Sequence, residues 1–238
     1  MDKLKVSLII PAYNEEHYIE DCLNSIVLNV REYLHEIIVV DNASTDKTNI
    51  IASSFCDVKV IKEENKGLTK ARQKGYKAAT GNILVYIDAD SRIHKNWFPL
   101  LVKEFQNPKI VCLSGPYKYY DLPKSKRGIE YIWRLACFAG YIITGKMVLG
   151  GNFAIRKEVL DQMKGFDSTI SFYGEDTDIA NRAYKFGKIK YAKKFYVYTS
   201  SRRFNKAGWI KTTWDYTVNY FSQILFQKSY SHEYKDYR

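Results

Sequence analysis

Short apolar runs alternate with helical periodicity along the first half of the chain. Five runs rich in β-branched and aliphatic residues predict strands: KVSLII (5–10), EIIVV (36–40), VKVI (58–61), ILVYI (83–87) and KIVCLSG (109–115). Between the first two runs, Ile19, Leu23 and Ile26 recur at helical spacing, and we expect Asn14 to cap that helix. The run ILVYI has no polar position, which is typical of a central strand covered on both faces. The alternation predicts an α/β fold with a doubly wound, mainly parallel, Rossmann-like sheet.

The second half of the chain is less regular. Its segments predict the following elements in order: a basic loop at 116–127, a helix at 128–147, a strand with a short helix and a turn at 150–167, a helix at 175–187, the short strands KIKYA and FYVYT, and an aromatic-rich helix from 206 to about 229. No internal repeat or clear linker interrupts them.

The amino-acid composition limits the classes of partner that the protein is expected to bind. The 37 Lys and Arg residues exceed the 26 Asp and Glu residues, and the net charge of +11 favours an anionic partner: a nucleic acid, a membrane surface or a phosphorylated small molecule. The four cysteines form no CxxC pair, so we expect no zinc site. The N-terminal apolar segment is too short for a signal peptide, and no apolar run reaches the length of a membrane span. We therefore expect a cytoplasmic protein.

Polar residues follow three of the predicted strands at the point where each ends. Tyr13, Asn14 and Glu15 follow KVSLII and Pro11-Ala12, Asp41 follows EIIVV, and Asp88 and Asp90 follow ILVYI. In such sheets ligands bind beyond the carboxyl ends of the strands. Two carboxylates one residue apart repel each other unless a cation lies between them, and Mg²⁺ or Mn²⁺ bound to a diphosphate fits that requirement. A solvated turn is the alternative interpretation of the Asp-x-Asp pair.

Three residues, each in or after a predicted strand end or helix start, have two interpretations. Asp41 either accepts a hydrogen bond from a nucleotide base or serves a turn. Tyr13 either stacks on that base or is a half-buried surface aromatic. Arg72, on the helix after Gly67, either offsets phosphate charge or is an exposed helix arginine.

A second acidic cluster lies at the start of a predicted helix. Glu175, Asp176 and Asp178 crowd this helix start. They either compensate the helix dipole or include a general base, since neighbouring carboxylates raise one another's pKa.

Five segments, in this order, resemble the family 2 glycosyltransferases: VSLIIPAYNEEHYIEDCLNSI, EIIVVDNASTDKT, KGLTKARQKGYKAATGNILVYIDADSRI, GGNFAIRKEVLDQMKGFD and GEDTDIANRAYKFG. The resemblance covers about residues 5–190. It implies a GT-A fold, a nucleotide-diphosphate-sugar donor, a divalent Mg²⁺ or Mn²⁺ ion, and transfer with inversion at the anomeric carbon.

The resemblance also implies roles on the donor side. The implied nucleotide contacts are Pro11, Ala12, Tyr13, Glu15, Asp41, Arg72 and Asp88. Asp41 matches the carboxylate that reads the base, and Arg72 lies in the segment that faces the diphosphate. Asp88 and Asp90 match the family's DxD motif, with Asp90 the more direct metal ligand.

On the acceptor side, Glu175 and Asp176 match the ED motif, whose Asp is the usual catalytic base. Gly151, Asn152 and Asp178 are the expected acceptor or sugar contacts. Many members also have a metal-binding His after the ED helix, but YVYTSSRRF (196–204) has none. We therefore expect Arg202 and Arg203 to face the diphosphate instead.

The resemblance implies a division of the chain. Residues 1–203 form the catalytic domain, with a nucleotide-binding half at 1–115 and an acceptor-binding half at 116–203. Residues 204–238 form a basic, aromatic-rich helical extension. This extension either packs over the acceptor side or a dimer interface, or it contacts the inner face of a membrane.

The expected activity is inverting sugar transfer to a hydroxyl of a glycan or a lipid-linked glycan, with Asp176 as base. The family's QxxRW signature of processive synthases is absent, which disfavours a polymerase. A polyprenyl phosphate is an alternative acceptor, and it needs no base because it is already an anion. A nucleic-acid-binding module is the alternative of another class. The aromatic residues follow helical and core patterns, so we expect no nucleic-acid partner.

Overall fold

The computed structural model describes residues 4–170 and 174–226. The strands are β1 (Val6–Ala12), β2 (Glu36–Asp41), β3 (Val58–Lys62), β4 (Ile83–Ile87), β5 (Ile110–Ser114), β6 (Tyr117–Tyr119), β7 (Asn152–Arg156), β8 (Lys188–Tyr191) and β9 (Val197–Thr199). The helices are α1 (Ile19–Asn29), α2 (Thr48–Ser53), α3 (Leu68–Ala78), α4 (Trp97–Phe105), α5 (Arg127–Thr144), α6 (Lys157–Gln162), α7 (Glu175–Ala183), α8 (Arg202–Ala207) and α9 (Trp209–Phe226). The predicted end of the last helix and the rest of the extension to 238 lie outside the described residues.

Seven strands form one sheet in the order β3-β2-β1-β4-β7-β5-β8. Every neighbouring pair in this sheet is parallel except those of β7, which runs antiparallel to both β4 and β5. The mainly parallel α/β prediction is confirmed. The strand order reverses between β1 and β4, and a crevice at such a point is where doubly wound sheets bind ligands.

Both faces of the sheet are covered, because alternate residues of a strand point to opposite sides. On β4, Val85 and Ile87 belong to the core cluster that includes α1 and α4, whereas Leu84 and Tyr86 belong to the cluster that includes α3 and α7. The ring of Tyr86 stacks on Phe153 of β7 with centroids 4.9 Å apart. Burying each large apolar side chain contributes about 1.5–3 kcal/mol, which explains why β4 has no polar position.

The antiparallel strand β7 brings its first residue to the ligand edge. After β5 the chain passes through β6 and α5 and re-enters the sheet from the carboxyl edge, so Asn152 lies opposite Ile87 in the register. The segment just before β7, which holds Gly150 and Gly151, therefore sits beside the end of β4.

Two local predictions are wrong. The segment 116–127 is not only a loop, since β6 pairs in parallel with β9 to form a second sheet. Its partner lies about 80 residues away, as in the Tyr117–Val197 pair, so no local pattern indicates it. Asn14 does not cap α1, which begins at Ile19. Instead Asn14 has a φ of 51° and its Oδ1 accepts a hydrogen bond from the Thr45 backbone N–H at 2.9 Å.

The second sheet packs with α5, α8 and α9 through an aromatic cluster. Phe204 of α8 stacks on Trp209 at 4.2 Å between centroids and meets Tyr119 and Trp133 edge-on at 5.4 and 6.2 Å. Within residues 4–170 and 174–226, no helix is long and apolar enough to cross a bilayer.

Candidate active site

A cavity of about 470 Å³ opens at the carboxyl edge of the sheet. Its charged lining residues, which we call the charged wall, are Glu15, Arg72, Asp88, Asp90, Glu175, Asp176, Arg202 and Arg203. Its aromatic and aliphatic lining residues, which we call the apolar wall, include Tyr119, Trp133, Ala136, Ala139, Ile143, Phe204, Tyr216 and Phe221. The cavity thus joins the ends of β1, β4 and the start of α7 to helices α5, α8 and α9.

Arg72 is the centre of the charged wall. Its side chain is only 2% exposed, and its guanidinium forms an ion pair with Glu175. It also donates a hydrogen bond to the Gly150 carbonyl at 2.8 Å and lies 3.8 Å from Asp88 Oδ1. A buried guanidinium requires such partners because desolvation is costly. Arg72 is therefore held by protein carboxylates at the cavity wall, and its contact with a diphosphate stays a prediction.

The two aspartates after β4 have different environments. The Asp90 carboxylate is buried: Thr199 Oγ1 donates to its Oδ1 at 3.0 Å, and Arg202 Nη2 lies 3.0 Å from its Oδ2. Burial raises the pKa of Asp90, and the charge of Arg202 opposes that rise. The Asp88 side chain is 44% exposed at the cavity. Asp88 is accordingly the more accessible of the two.

Arg202 connects the DxD motif to the first loop. Besides Asp90, it donates to Glu15 Oε1 at 2.7 Å, and its guanidinium lies 4.4 Å from the centroid of the Tyr18 ring. Arg203 also lines the cavity, where its Nη1 donates to the Tyr216 hydroxyl at 2.8 Å. Both arginines line the cavity, and their predicted contact with a diphosphate stays a prediction.

The donor set suits a hard divalent cation held jointly with a phosphate. Asp88 and Asp90 offer carboxylate oxygens, the ligands that Mg²⁺ and Mn²⁺ prefer. In the described part of the chain no group of three His, Cys, Asp or Glu side chains could hold a metal ion. The remaining ligands would have to come from the diphosphate and water, which is how Mg²⁺ is commonly bound at substrate phosphates.

The two carboxylates of the ED motif begin α7, directly after Gly174 in a left-handed conformation. Burial raises the pKa of Glu175 to about 7, against the opposing charge of Arg72. Burial also raises the pKa of Asp176, whose Oδ1 accepts a hydrogen bond from the Thr177 backbone N–H at 2.8 Å. Glu175 is thus engaged with Arg72, and Asp176 is the carboxylate better placed to accept a proton in the cavity.

Of the three predicted acceptor or sugar contacts, the structure brings one to the cavity. Gly151 lines the cavity, and a Cβ at this position would overlap the Asp88 carboxylate. Asn152 instead points into the protein, where its Nδ2 donates to the Phe195 carbonyl at 2.7 Å and its Oδ1 accepts from Trp97 Nε1 at 3.3 Å. Asp178 pairs with Arg182 at 2.6 Å, away from the cavity. Local sequence does not reveal that these polar groups are already satisfied.

The predicted base-contacting residues share the sheet edge beside β1. Ala12 and Asp41 are register partners at the ends of β1 and β2, and Pro11 lines the cavity. Asp41 accepts hydrogen bonds from the Ser44 backbone N–H at 3.1 Å and from Asn49 Nδ2 at 2.9 Å. Their contacts with a nucleotide stay predictions.

Tyr13 has a neighbour that the sequence did not indicate. Lys66 Nζ lies 3.9 Å from the centroid of its ring, which places a cation beside the predicted base contact. On the other side of the site, Tyr117 was also missed. Its hydroxyl accepts from the Gly151 backbone N–H at 2.7 Å, and burial raises its pKa, with the Asp88 charge adding to the rise. Lys66 begins the third of the five resembling segments and Tyr117 lies outside them, and in both cases only the tertiary structure shows the contact.

Similar solved structures identify the fold. A mannosyltransferase from Pyrobaculum calidifontis in complex with GDP-Man and Mn²⁺ is similar with a TM-score of 0.75 at 23% identity, over 94% of this chain and 64% of that one. Glucosyl-3-phosphoglycerate synthase from Mycobacterium tuberculosis, solved with Mn²⁺, UDP and phosphoglyceric acid, gives a TM-score of 0.64 at 21% identity over 93% and 78% of the two chains. The fold is that of the GT-A enzymes.

The family follows from the sequence match. The model of Glycosyl transferase family 2 matches residues 7–164, so the chain belongs to this family. A dolichol-phosphate mannosyltransferase from Pyrococcus furiosus is 33% identical over 175 residues, which are 66% of this chain and 48% of that protein. Glycosyltransferase AglE from Haloferax volcanii is 37% identical over 120 residues, 48% of this chain and 40% of that one. The chain spans about half the length of the first of these relatives.

Proposed function

We propose that this chain transfers a sugar from a nucleotide-diphosphate-sugar to a hydroxyl of a glycan or lipid-linked glycan, with inversion at the anomeric carbon. One observation carries the proposal. The cavity is lined both by the carboxylates of the DxD motif and the half-buried Asp176 and by the apolar side chains of α5, α8 and α9. A donor diphosphate and an acceptor therefore have separate surfaces in one enclosure.

The donor side is built from strand ends. Tyr13 and Asp41 would contact the nucleotide at the β1 and β2 edge, and Arg202 and Arg203 supply positive charge toward the diphosphate. The structural neighbours named above were solved with GDP-Man or UDP, which supports a nucleotide-diphosphate-sugar donor without selecting the base.

Asp88 and Asp90 would hold the divalent cation against the diphosphate. When bound, such an ion neutralises the charge that develops on the leaving diphosphate. Two of the structural neighbours contain Mn²⁺, which supports a divalent metal in this site.

Asp176 would act as the general base. Its carboxylate removes the proton of the acceptor hydroxyl while that oxygen forms a bond to the anomeric carbon. On the opposite face the bond from this carbon to the diphosphate oxygen breaks, and its electron pair leaves with the diphosphate. A pKa raised by burial suits a carboxylate to this transfer.

A polyprenyl phosphate is the second candidate acceptor. The apolar wall and the dolichol-phosphate mannosyltransferase similarity favour it. Its phosphate oxygen attacks without losing a proton, so this reaction would proceed without Asp176 as a base.

A thermal-shift screen of nucleotide-sugars, with and without Mn²⁺, tests the donor proposal. A ligand at about 100 times its Kd stabilises the folded protein by about 2.7 kcal/mol, so one class of nucleotide-sugar should raise the melting temperature. Asp90→Ala should remove the Mn²⁺-dependent part of the shift. Asp57→Asn, an aspartate on the surface away from the cavity, should keep it. No shift with any nucleotide-sugar would contradict the proposal.

A further inference from the structure

Helix α5 carries a row of apolar side chains that faces solvent. Ile132, Leu135, Ile142 and Ile143 follow helical spacing along one side of α5, and Ile132 and Ile143 are 66% and 75% exposed. The opposite side of the helix is the buried one, since Cys137 is only 5% exposed. A contiguous exposed apolar patch of this kind marks an interaction surface.

Helix α9 also carries exposed apolar side chains. Trp214 is 67% exposed, and Phe221, two turns further along the same side of α9, is 42% exposed. Phe221 and Ile143 both line the cavity, so each helix has an exposed apolar side chain at the apolar wall. We call Ile132, Leu135, Ile142, Ile143, Trp214 and Phe221 together the apolar face.

The surroundings of the apolar face are basic. Lys124, Lys126 and Arg127 lie at the start of α5, in the segment that leads into the helix. The carboxylates on the two helices are paired: Glu130 lies 3.9 Å from Arg134, and Asp215 lies 2.7 Å from Lys211. The start of α5 therefore presents a net positive charge next to apolar side chains.

The sequence left two alternatives for the 204–238 extension, packing over the acceptor side or a dimer interface and contact with a membrane. Several aromatic residues of the 204–238 extension turn inward, since Trp209 stacks on Phe204, and Tyr220 hydrogen-bonds to Thr144 at 2.6 Å. The exposed apolar surface belongs mainly to α5 instead. Apolar side chains beside lysine and arginine are typical of helices that lie in the surface of an anionic bilayer.

We propose that the apolar face docks on the surface of an anionic lipid bilayer, with Lys124, Lys126 and Arg127 against the headgroups. A bilayer is favoured over a protein partner because of the positive charge and because the face leads directly into the cavity. The second reason rests on the proposed function: an acceptor with a lipid chain would reach the apolar wall from the bilayer without crossing water.

Flotation of the full chain with phosphatidylcholine vesicles, with and without phosphatidylglycerol, tests this docking. We expect binding only to the anionic vesicles. Ile132→Ser combined with Leu135→Ser should weaken that binding about tenfold, since two apolar side chains lose their burial in lipid. Leu28→Ser with Ile50→Ser is the matched control, because these side chains are exposed on α1 and α2. The control should bind like the wild type, and both pairs should keep the wild-type melting temperature.

Separate variants test how much the basic residues before α5 contribute to vesicle binding. Lys124→Gln and Lys126→Gln should each weaken binding to anionic vesicles about fivefold, and added salt should do the same. Lys103→Gln and Lys109→Gln, exposed on and after α4, should leave it unchanged.

Four results would overturn the docking proposal. The first is absence of binding to anionic vesicles, and the second is an equal loss in the control pairs. The third is a wild-type chain that binds no vesicles but sediments as a dimer, with the Ile132 and Leu135 substitutions abolishing the dimer. This result would assign the face to a second copy. The fourth is binding that appears only after removal of residues 227–238, which would assign it to the chain's own terminus. The assay contains no nucleotide-sugar, so it can fail while sugar transfer stands.

Discussion

The two walls of the cavity are built by different physical means. The charged wall is assembled from residues far apart in the chain: Arg72 pairs with Glu175, and Arg202 pairs with Glu15 and Asp90. The apolar wall comes from helices α5, α8 and α9 and is held by stacked rings such as Phe204 on Trp209. One wall depends on pairing each buried charge, and the other depends on packing.

This difference separates chemistry from recognition. A buried charge is costly to leave unpaired, and its hydrogen-bonded partners tolerate little displacement, so a substitution in the charged wall should alter turnover or stability. Aromatic and aliphatic surfaces bind many shapes through contact area, so a substitution in the apolar wall should alter affinity for the acceptor. Four variants test this contrast.

Asp176→Asn should have the largest effect. We expect kcat for sugar transfer to fall about a hundredfold to ten-thousandfold, because the amide cannot take the proton of the acceptor hydroxyl. Calorimetry should show donor binding close to that of the wild type. Asp57→Asn is the control, because it makes the same chemical change at a surface residue outside the cavity lining. Wild-type turnover in Asp176→Asn would remove the base and favour a polyprenyl phosphate acceptor.

Arg72→Ala should lower the free energy of unfolding by about 3–5 kcal/mol near neutral pH, because Glu175 loses its partner in a buried site. The loss should depend on pH. Burial already raises the pKa of Glu175 to about 7, and removal of Arg72 would raise it further. A carboxyl group whose pKa is higher in the folded than in the unfolded protein does not lower the free energy of unfolding at a pH below its unfolded pKa. As the pH rises toward its folded pKa, the free energy of unfolding falls. Denaturation should therefore show a smaller deficit at about pH 5 than at about pH 8.

Arg31→Ala is the matched control for that experiment. Arg31 pairs with Asp57 at 3.0 Å on the surface, where such a pair contributes about 0–1 kcal/mol. Equal losses in the two variants, or a deficit of Arg72→Ala that does not change with pH, would contradict the buried-pair account.

Arg202→Gln should lower the free energy of unfolding by about 1–3 kcal/mol, because Asp90 and Glu15 lose a charged hydrogen-bond donor. If Arg202 neutralises the charge that a metal would otherwise neutralise, Mn²⁺ should raise the melting temperature of the variant by more than that of the wild type. Arg92→Gln is the control, because Arg92 follows the DxD motif closely but pairs with Asp21 at 2.5 Å. Identical Mn²⁺ shifts in Arg202→Gln and wild type would show that Arg202 does not compete with the metal.

Trp133→Ala should have the smallest effect and act only on the acceptor. We expect KM for the acceptor to rise about tenfold, because the ring supplies contact area on the apolar wall. Donor binding and kcat should change little. Tyr33→Ala, which removes an exposed ring stacked on Phe98 at 5.1 Å, is the control. A fall in kcat with unchanged KM would mean that the apolar wall also orients the reacting groups.

Much of the nucleotide half could be predicted from local pattern. The apolar runs of β1, β2 and β4 correspond to buried central strands, and the residues after them meet at one edge, as the fold rule requires. The antiparallel direction of β7 and the β6–β9 pairing could not be predicted, because strand orientation and partner choice depend on distant segments. The same limit explains why Asn152 was assigned to the acceptor, although Phe195 and Trp97 satisfy its side chain.

The sequence by itself determined the fold class, the family and the positions of the acidic motifs, because these depend on periodicity and on short spacings along the chain. Only the tertiary structure decided what surrounds each charge. It showed that Arg72 is buried between carboxylates, that Arg202 reaches both Asp90 and Glu15, and that α5 presents the apolar face. The physical reason is that desolvation and ion pairing depend on three-dimensional neighbours, and the Arg202–Glu15 pair joins residues 187 positions apart.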